Sequence, residues 1–255
     1  MATRELTPEE ARRIDEIVAR FESHKVLISQ FLANVDTMFT GSAELMALVH
    51  SVKRRVKDSA HLRDKLARKL LKVEDAFDIT PDNLYYKITD LAGYRILHLH
   101  TRQMEQINKV ILGLIDEAQY PLIEKPKARI WDDESKSYFE GIGITTVVSP
   151  NMYSSVHYVI EASSKTKFTC EIQVRTLAEE VWGEVDHNFN YPYPTPSVAC
   201  REQIRVLARV ASSCSRLVDS IFKSYDDFKS AQQGAGDETP KGRRTSPKEP
   251  AGPNP

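Results

Sequence analysis

Apolar residues at Ile14, Ile17, Val18, Phe21, Ile28, Phe31 and Leu32 recur at roughly helical spacing, which predicts a helix through the N-terminal segment. Thr7, Pro8 and Glu10 at its head suit a cap, a first helical position and the return half of a capping box. A further helix or loop covers 42–52, and a strongly basic stretch follows over 53–72. From 86 the pattern shortens to β-like runs, YKITDLAGYRILHL, SSVHYVIEA and FTCEIQVR. Ile107, Val110, Ile111, Leu114 and Ile115 mark an amphipathic helix between the first two. Residues 126–150 are expected to hold another strand and a mobile loop. Thr176 with Glu179 predicts a second capping box, so that the last strand turns directly into a helix running through Trp182 to His187. YPYPTP, 191–196, reads as a rigid turn, and 201–230 as one or two helices. Ile204, Leu207, Val210, Leu217, Val218, Ile221 and Phe222 on that segment are expected to cover the core or a partner subunit, the latter implying a homo-oligomer. The Pro-, Gly- and charge-rich tail, 232–255, reads as disordered. Strands alternating with helices predict an α/β (α+β) fold with a mixed sheet.

In FTCEIQVR, alternation sets Glu171, Gln173 and Arg175 on one face and Ile172 and Val174 on the other. An acid, an amide and a guanidinium are costly to bury unpaired, so this face should meet solvent, a ligand or a metal. The 255 residues, 41% hydrophobic and 28% charged, suffice for one core-forming domain with helical additions. No apolar run approaches the roughly 20 residues of a membrane span, and MATRELTPEE is unlike a signal peptide. Cys170, Cys200 and Cys214 are too scattered for a disulfide framework or a zinc site, so a cytoplasmic location is expected. With a net charge of −1, any anion-binding surface must come from local clustering.

Such a cluster exists. Nine basic residues face two acidic ones between 53 and 72. As a helix capped by Asp58 or Ser59, this stretch sets Leu62, Leu66, Leu70 and Val73 in one stripe, and His61, Lys65, Arg68 and Lys72 on another face, with Arg55 and Lys57 just ahead. It reads either as a solvated face or as a polyphosphate or nucleic-acid backbone site. Asp90 heads an apolar strand, and strict alternation would point it away from Arg95 unless a bulge at Gly93 intervenes. Alone, Asp90 reads as a strand-end turn residue. With Glu171 it makes a carboxylate pair facing a basic helix, which suits a Mg²⁺–nucleotide complex. Tyr153, Ser155 and His157 are expected on one strand face, where Tyr153 is either an ordinary hairpin tyrosine or a platform for a base. His187 falls at a helix end, where a cation is favoured.

In order and internal spacing, RVKDSAHLRDKLAR, TDLAGYRIL, YSSVH and EIQVRTLAEEVWGEVDH resemble the synthetase domain of the RelA/SpoT family, in particular its single-domain small alarmone synthetases. The resemblance implies a nucleotidyltransferase-like mixed sheet flanked by helices, spanning 45–195, with an N-terminal helical segment over 1–44, C-terminal helices over 196–231 and the tail beyond. It implies transfer of the β,γ-pyrophosphate of ATP to the 3′-hydroxyl of GDP or GTP, with Mg²⁺ and release of AMP. On that basis Arg55 and Arg95 would sandwich adenine, Lys57, Lys65 and Arg68 would contact the donor phosphates, and Asp90 would hold the metal. Glu171 would share the metal and draw the proton from the attacking hydroxyl. Tyr153 would stack on the acceptor base with His157 nearby, and Gln173, Arg175 and His187 would support and orient.

Three positions depart from the family pattern, all on the acceptor side. Met152 stands where the acceptor loop usually has glycine, Ser154 where it has arginine, and Pro192 where a lysine usually follows the tyrosine. Relatives that have lost guanosine-binding features modify the 3′ CCA end of tRNA or an adenosine nucleotide, which would imply a toxin with an antitoxin partner. A catalytically silent nucleotide- or RNA-binding regulator is a further alternative, against which retention of Asp90 and Glu171 argues.

Overall fold

The computed structural model describes residues 5–71, 77–149 and 153–236; Lys72, Val73, Met152 and the tail from 237 lie outside them. Helix α1 (Pro8–Thr40) opens on the expected box: Thr7 Oγ1 accepts from the Glu10 N–H, and the Glu10 carboxylate accepts from the Thr7 N–H. Its buried stripe runs from Ile14, Ile17 and Phe21 to Val35 and Phe39. There follow α2 (Ala43–Leu48), β1 (Ser51–Val56), α3 (Ser59–Leu71), α4 (Leu84–Lys87) and β2 (Ala92–His98). After a 3₁₀ turn come α5 (Met104–Glu117), β3 (Leu122–Ile130), α6 (Asp133–Gly141) and β4 (Thr145–Val148). The chain continues through β5 (Ser155–Glu161), β6 (Thr169–Thr176), α7 (Leu177–Asn190) and α8 (Val198–Gly236).

The strands form one mixed sheet in the order β1-β2-β6-β5-β3-β4. At its centre β2 runs parallel to β6, while β1–β2, β6–β5 and β5–β3 are antiparallel. One face is apolar and carries Tyr94, Ile96, Tyr158, Ile160, Ile172 and Val174, all buried. Helices α1 and α5 meet the tyrosines of this face: Tyr94 donates to Asp36 of α1 at 2.9 Å, and Tyr158 to Asn108 of α5 at 2.7 Å. The opposite face of β2 and β6 presents Gly93, Arg95, Glu171, Gln173 and Arg175.

Four local expectations give way to packing. The basic stretch begins as strand β1, whose consecutive Lys53, Arg54 and Arg55 hide the period of a strand and suit a charged sheet edge. Residues 84–91 are a helical turn and a bend rather than strand, because Leu84, Tyr85, Ile88 and Leu91 bury together at helical spacing. The region 126–150 holds most of β3, all of α6 and β4. Finally, α8 buries Ile204, Ala208, Ala211, Ser212 and Ser215, whereas Val210, Leu217, Ile221 and Phe222 are exposed. Small residues let this helix approach closely, as the 2.9 Å contact between the Thr176 and Ser215 hydroxyls records. Of the bulky stripe, Ile204 and in part Leu207 therefore cover the core, while its outer members stay exposed.

The chain divides at Asp219 into two compact units, and the site described below lies in the first. In the second, residues 220–236 are helical. Among the described residues no helix is long and apolar enough to cross a membrane.

Helix α3 is capped by Asp58, whose carboxylate accepts from the Ala60 N–H at 2.8 Å, and it is fixed to the core by Leu62 and Leu66, both fully buried. Leu66→Ala is expected to lower stability by about 2–5 kcal/mol in urea unfolding. A loss under about 1 kcal/mol would show that α3 is not held through this side chain.

Candidate active site

Asp90 lies ahead of β2, so strand alternation does not govern it. The Lys57 N–H donates to the Leu91 carbonyl at 2.8 Å, extending the β1–β2 pairing by one step beside Asp90. Lys57 Nζ then reaches Asp90 Oδ2 at 2.7 Å, and Lys65 Nζ, from α3, reaches Oδ1 at 2.8 Å. Burial would raise the Asp90 pKa, but Lys65 and Lys57 outweigh it and hold the carboxyl at about 2. Burial in turn lowers the pKa of Lys57 despite Asp90. No bulge forms at Gly93, since both strand registers run through it unbroken. Asp90 and Arg95 meet without one: both line a cavity of about 250 Å³ with Arg55, Glu171, Gln173 and Glu184.

Glu171 sits on β6 opposite Gly93 of β2 and Val159 of β5. His157 Nδ1 lies 2.7 Å from its Oε1, and Gln173 Nε2 donates to its Oε2 at 3.2 Å. The other nitrogen of His157 is 2.6 Å from Ser155 Oγ. Burial would raise the Glu171 pKa, but the hydrogen bond and charge of His157 outweigh it, so the carboxylate stays ionised at neutral pH. His157 is thus fixed against Glu171, and Tyr153, ahead of β5, is outside the strand on which it was expected. Two carboxylates in one cavity supply the hard oxygens that Mg²⁺ takes together with phosphate and water. Among the described residues no group of three metal-ligating acids, histidines or cysteines occurs.

A second acid, Glu180 of α7, organises the cations beside this pair. Its Oε1 accepts from Lys53 and from Arg95, each at 2.8 Å, and its Oε2 lies 2.5 Å from Arg175 Nη2. Glu184, one turn on, holds Arg95 at 2.7 Å. Gly183 makes room for this cluster, because a Cβ there would sit 2.5 Å from Arg175 Nη1. Neither glutamate stands out in the sequence, where Glu180 reads as a first-turn acid. The available signal is their i, i+4 spacing on a helix that begins immediately after Arg175, which points both back over the polar sheet face.

Arg55 and Arg95 also line a larger cavity of about 650 Å³, shared with Tyr153, Arg175, Trp182, His187 and Tyr191. The Tyr153 ring stacks on Trp182 at 5.2 Å and 18°. Tyr191 gathers His187, stacked at 4.5 Å, and the Arg68 guanidinium, 4.9 Å from its ring centroid. Thus Arg68 meets the site through Tyr191, whereas Lys57 and Lys65 meet it through Asp90. The expected capping box at Thr176 is half formed: Thr176 Oγ1 accepts from the Glu179 N–H at 3.2 Å. The Glu179 carboxyl turns instead to the Ser154 N–H at 3.3 Å, tying the segment that carries Tyr153 to α7.

A mixed sheet with paired acids and clustered cations on its polar face suits a nucleotide-handling transferase, and similarity to known proteins makes it one of the pyrophosphokinase type. More particularly, a family model described as a region found in RelA/SpoT proteins matches residues 54–195, and the chain belongs to that family. It is 25% identical over 185 residues to the GTP pyrophosphokinase YwaC of Bacillus subtilis, covering 66% of this chain and 74% of that protein. Its fold matches the small alarmone synthetase 1 of Bacillus subtilis bound to its product pppGpp, with a TM-score of 0.61 at 20% identity over 82% of this chain and 99% of that one. It also matches smu.1046c of Streptococcus mutans, with a TM-score of 0.57 at 20% identity over 80% and 95% of the two chains.

Burial pushes the Glu179 carboxyl up to about 7, against the opposing pull of the Ser154 N–H and Arg175. The folded chain therefore binds this proton more tightly than the unfolded one. The stabilisation is full below the ordinary glutamate value of 4.5 and is lost as pH rises to about 7, a change on the order of 3 kcal/mol. Burial lowers His98 to about 4 and acts in the opposite sense in both proteins, so the expected result is a difference: across that range the urea midpoint of the unaltered protein should fall relative to that of Glu179→Gln. Parallel slopes in the two proteins would remove Glu179 as the source.

Proposed function

We propose that the protein transfers the β,γ-pyrophosphate of ATP to the 3′-hydroxyl of GDP or GTP, with Mg²⁺, making a guanosine alarmone and AMP. The observation that carries this reading is that Asp90 and Glu171 line one cavity while Lys57 and Lys65 are held on Asp90. A purely binding surface has no use for two ionised acids among phosphates. The names of the relatives, a GTP pyrophosphokinase and a pppGpp-bound synthetase, support a guanosine acceptor.

Each residue has a task that its surroundings suit. Lys57 and Lys65 exchange Asp90 oxygens for donor phosphate oxygens as the nucleotide arrives. Arg55 and Arg95 offer planar guanidinium faces to adenine, and the hold of Glu180 and Glu184 on Arg95 limits its freedom before binding. Asp90 and Glu171 would hold Mg²⁺, which would supply charge neutralisation on the transferring group. The acceptor oxygen bonds to the β-phosphorus while the bond from that phosphorus to the α,β-bridging oxygen breaks. The electron pair of that bond leaves with AMP. Glu171 receives the hydroxyl proton, and His157 and Gln173 keep the carboxylate oriented for it.

Incubation with γ-labelled ATP, Mg²⁺ and, separately, GDP, GTP, ATP and bulk tRNA tests the acceptor. Label is expected in GDP or GTP; labelled tRNA with unlabelled mononucleotides would replace this reading with that of a tRNA-modifying toxin. Glu171→Gln should lower transfer by roughly 10² to 10⁴ or more while the protein stays folded. Transfer at a near-normal rate would end its assignment as the base.

A further inference from the structure

The larger cavity has a wall to which no role has yet been given. Besides Arg55, Arg95 and Arg175 it is lined by Arg201 and Arg205, from the first turns of α8, so five arginines face it against Glu184 and Asp186. The charges of these arginines are not equally committed. Arg95 and Arg175 are bound to Glu180 and Glu184. Arg55 and Arg201 make no ion pair among the described residues, and Arg201 donates only to the neutral carbonyl of Thr195, at 2.6 Å. Arg205 pairs with Glu202 at 2.6 Å, but with both side chains more than half exposed, an arrangement that solvent and a competing anion loosen at little cost.

These arginines are also fixed relative to Tyr153. Trp182, on which the tyrosine stacks, donates from Nε1 to the Ile204 carbonyl at 3.0 Å, inside the turn that carries Arg201 and Arg205. Tyr153, Trp182, Ile204, Ala208 and Ala211 form one apolar cluster. An aromatic ring and two arginines, one of them free of any carboxylate, thus share a cavity wide enough for a nucleotide. They stand apart from Lys57, Lys65 and Asp90, where the donor phosphates are placed above.

We propose that Arg201 and Arg205 are the anion grip of the acceptor subsite, taking the 5′-phosphates of a guanosine nucleotide whose base lies against Tyr153. The proposal rests on the acceptor reading above and extends it to the residues that distinguish a nucleotide from a nucleoside. Guanidinium forks match phosphate oxygens in pairs. Base stacking alone would not tell GTP, GDP and guanosine apart.

Initial rates with γ-labelled ATP and GTP, GDP or guanosine as acceptor test it, in the unaltered protein and in Arg201→Gln, Arg205→Gln and the double variant. The unaltered protein should favour GTP and GDP over guanosine. In the double variant their KM should rise about tenfold, the fold-change of one charge-assisted contact. The KM for ATP should stay within twofold, so that the preference over guanosine collapses, and Arg201→Lys should retain part of it. Arg205 is exposed enough for Arg205→Gln to fold normally, and its partial effect keeps the test open should Arg201 variants unfold. Unchanged KM for GTP and GDP, or an equal rise for ATP, would overturn the grip. If the unaltered protein labels neither GTP nor GDP, the acceptor reading itself falls, an outcome distinct from normal labelling that the variants leave untouched.

Discussion

The parallel pairing of β2 with β6 is the constraint on which the site depends. It sets Gly93 opposite Glu171, Arg95 opposite Gln173 and Leu97 opposite Arg175. Slipping β6 by one residue would present Ile172 and Val174 to the cleft and drive Glu171 and Gln173 into the helices. The burial of Ile172 and Val174 in the apolar core forbids that slip, so the core on one side of the sheet fixes the chemistry on the other. β1 adds Arg55 opposite Gly93, and its continuation brings Lys57 to Asp90.

A second principle is the internal neutralisation of clustered charges. Asp90 carries two lysines, and Glu180 carries a lysine and two arginines. A chain with a net charge of −1 can therefore keep a strongly cationic cleft folded, because the buried Lys57 and Arg175 each have a carboxylate partner. In the proposed reaction polyphosphate would replace Asp90 on its two lysines and leave that carboxylate to hold a divalent metal.

Much of this was legible in the sequence. The spacing from Ile14 to Leu32 and from Ile107 to Ile115 marked α1 and α5, and the alternation from Phe168 to Arg175 marked β6 and the side on which its polar residues lie. Other features depended on tertiary context. Three consecutive charges concealed β1, because an edge strand needs little apolar period. The buried face of α8 was partly masked by its size pattern, since alanines and serines bury there beside Ile204 while the larger side chains from Val210 onward stay outside. Asp90 and Arg95 looked opposed only while Asp90 was counted as strand. Glu180, Glu184 and Trp182 became visible as parts of the site once α7 was seen folding back over the sheet.

The central claim is that Asp90 and Glu171 face one nucleotide- and metal-filled cleft. Carboxyl ¹³C NMR of protein labelled at aspartate and glutamate, titrated with a non-hydrolysable ATP analogue and Mg²⁺, tests it most directly. The resonances of Asp90 and Glu171, assigned through Asp90→Asn and Glu171→Gln, should move together and saturate at the same ligand concentration. Saturable binding that shifts other carboxyls and leaves these two unmoved would contradict the account.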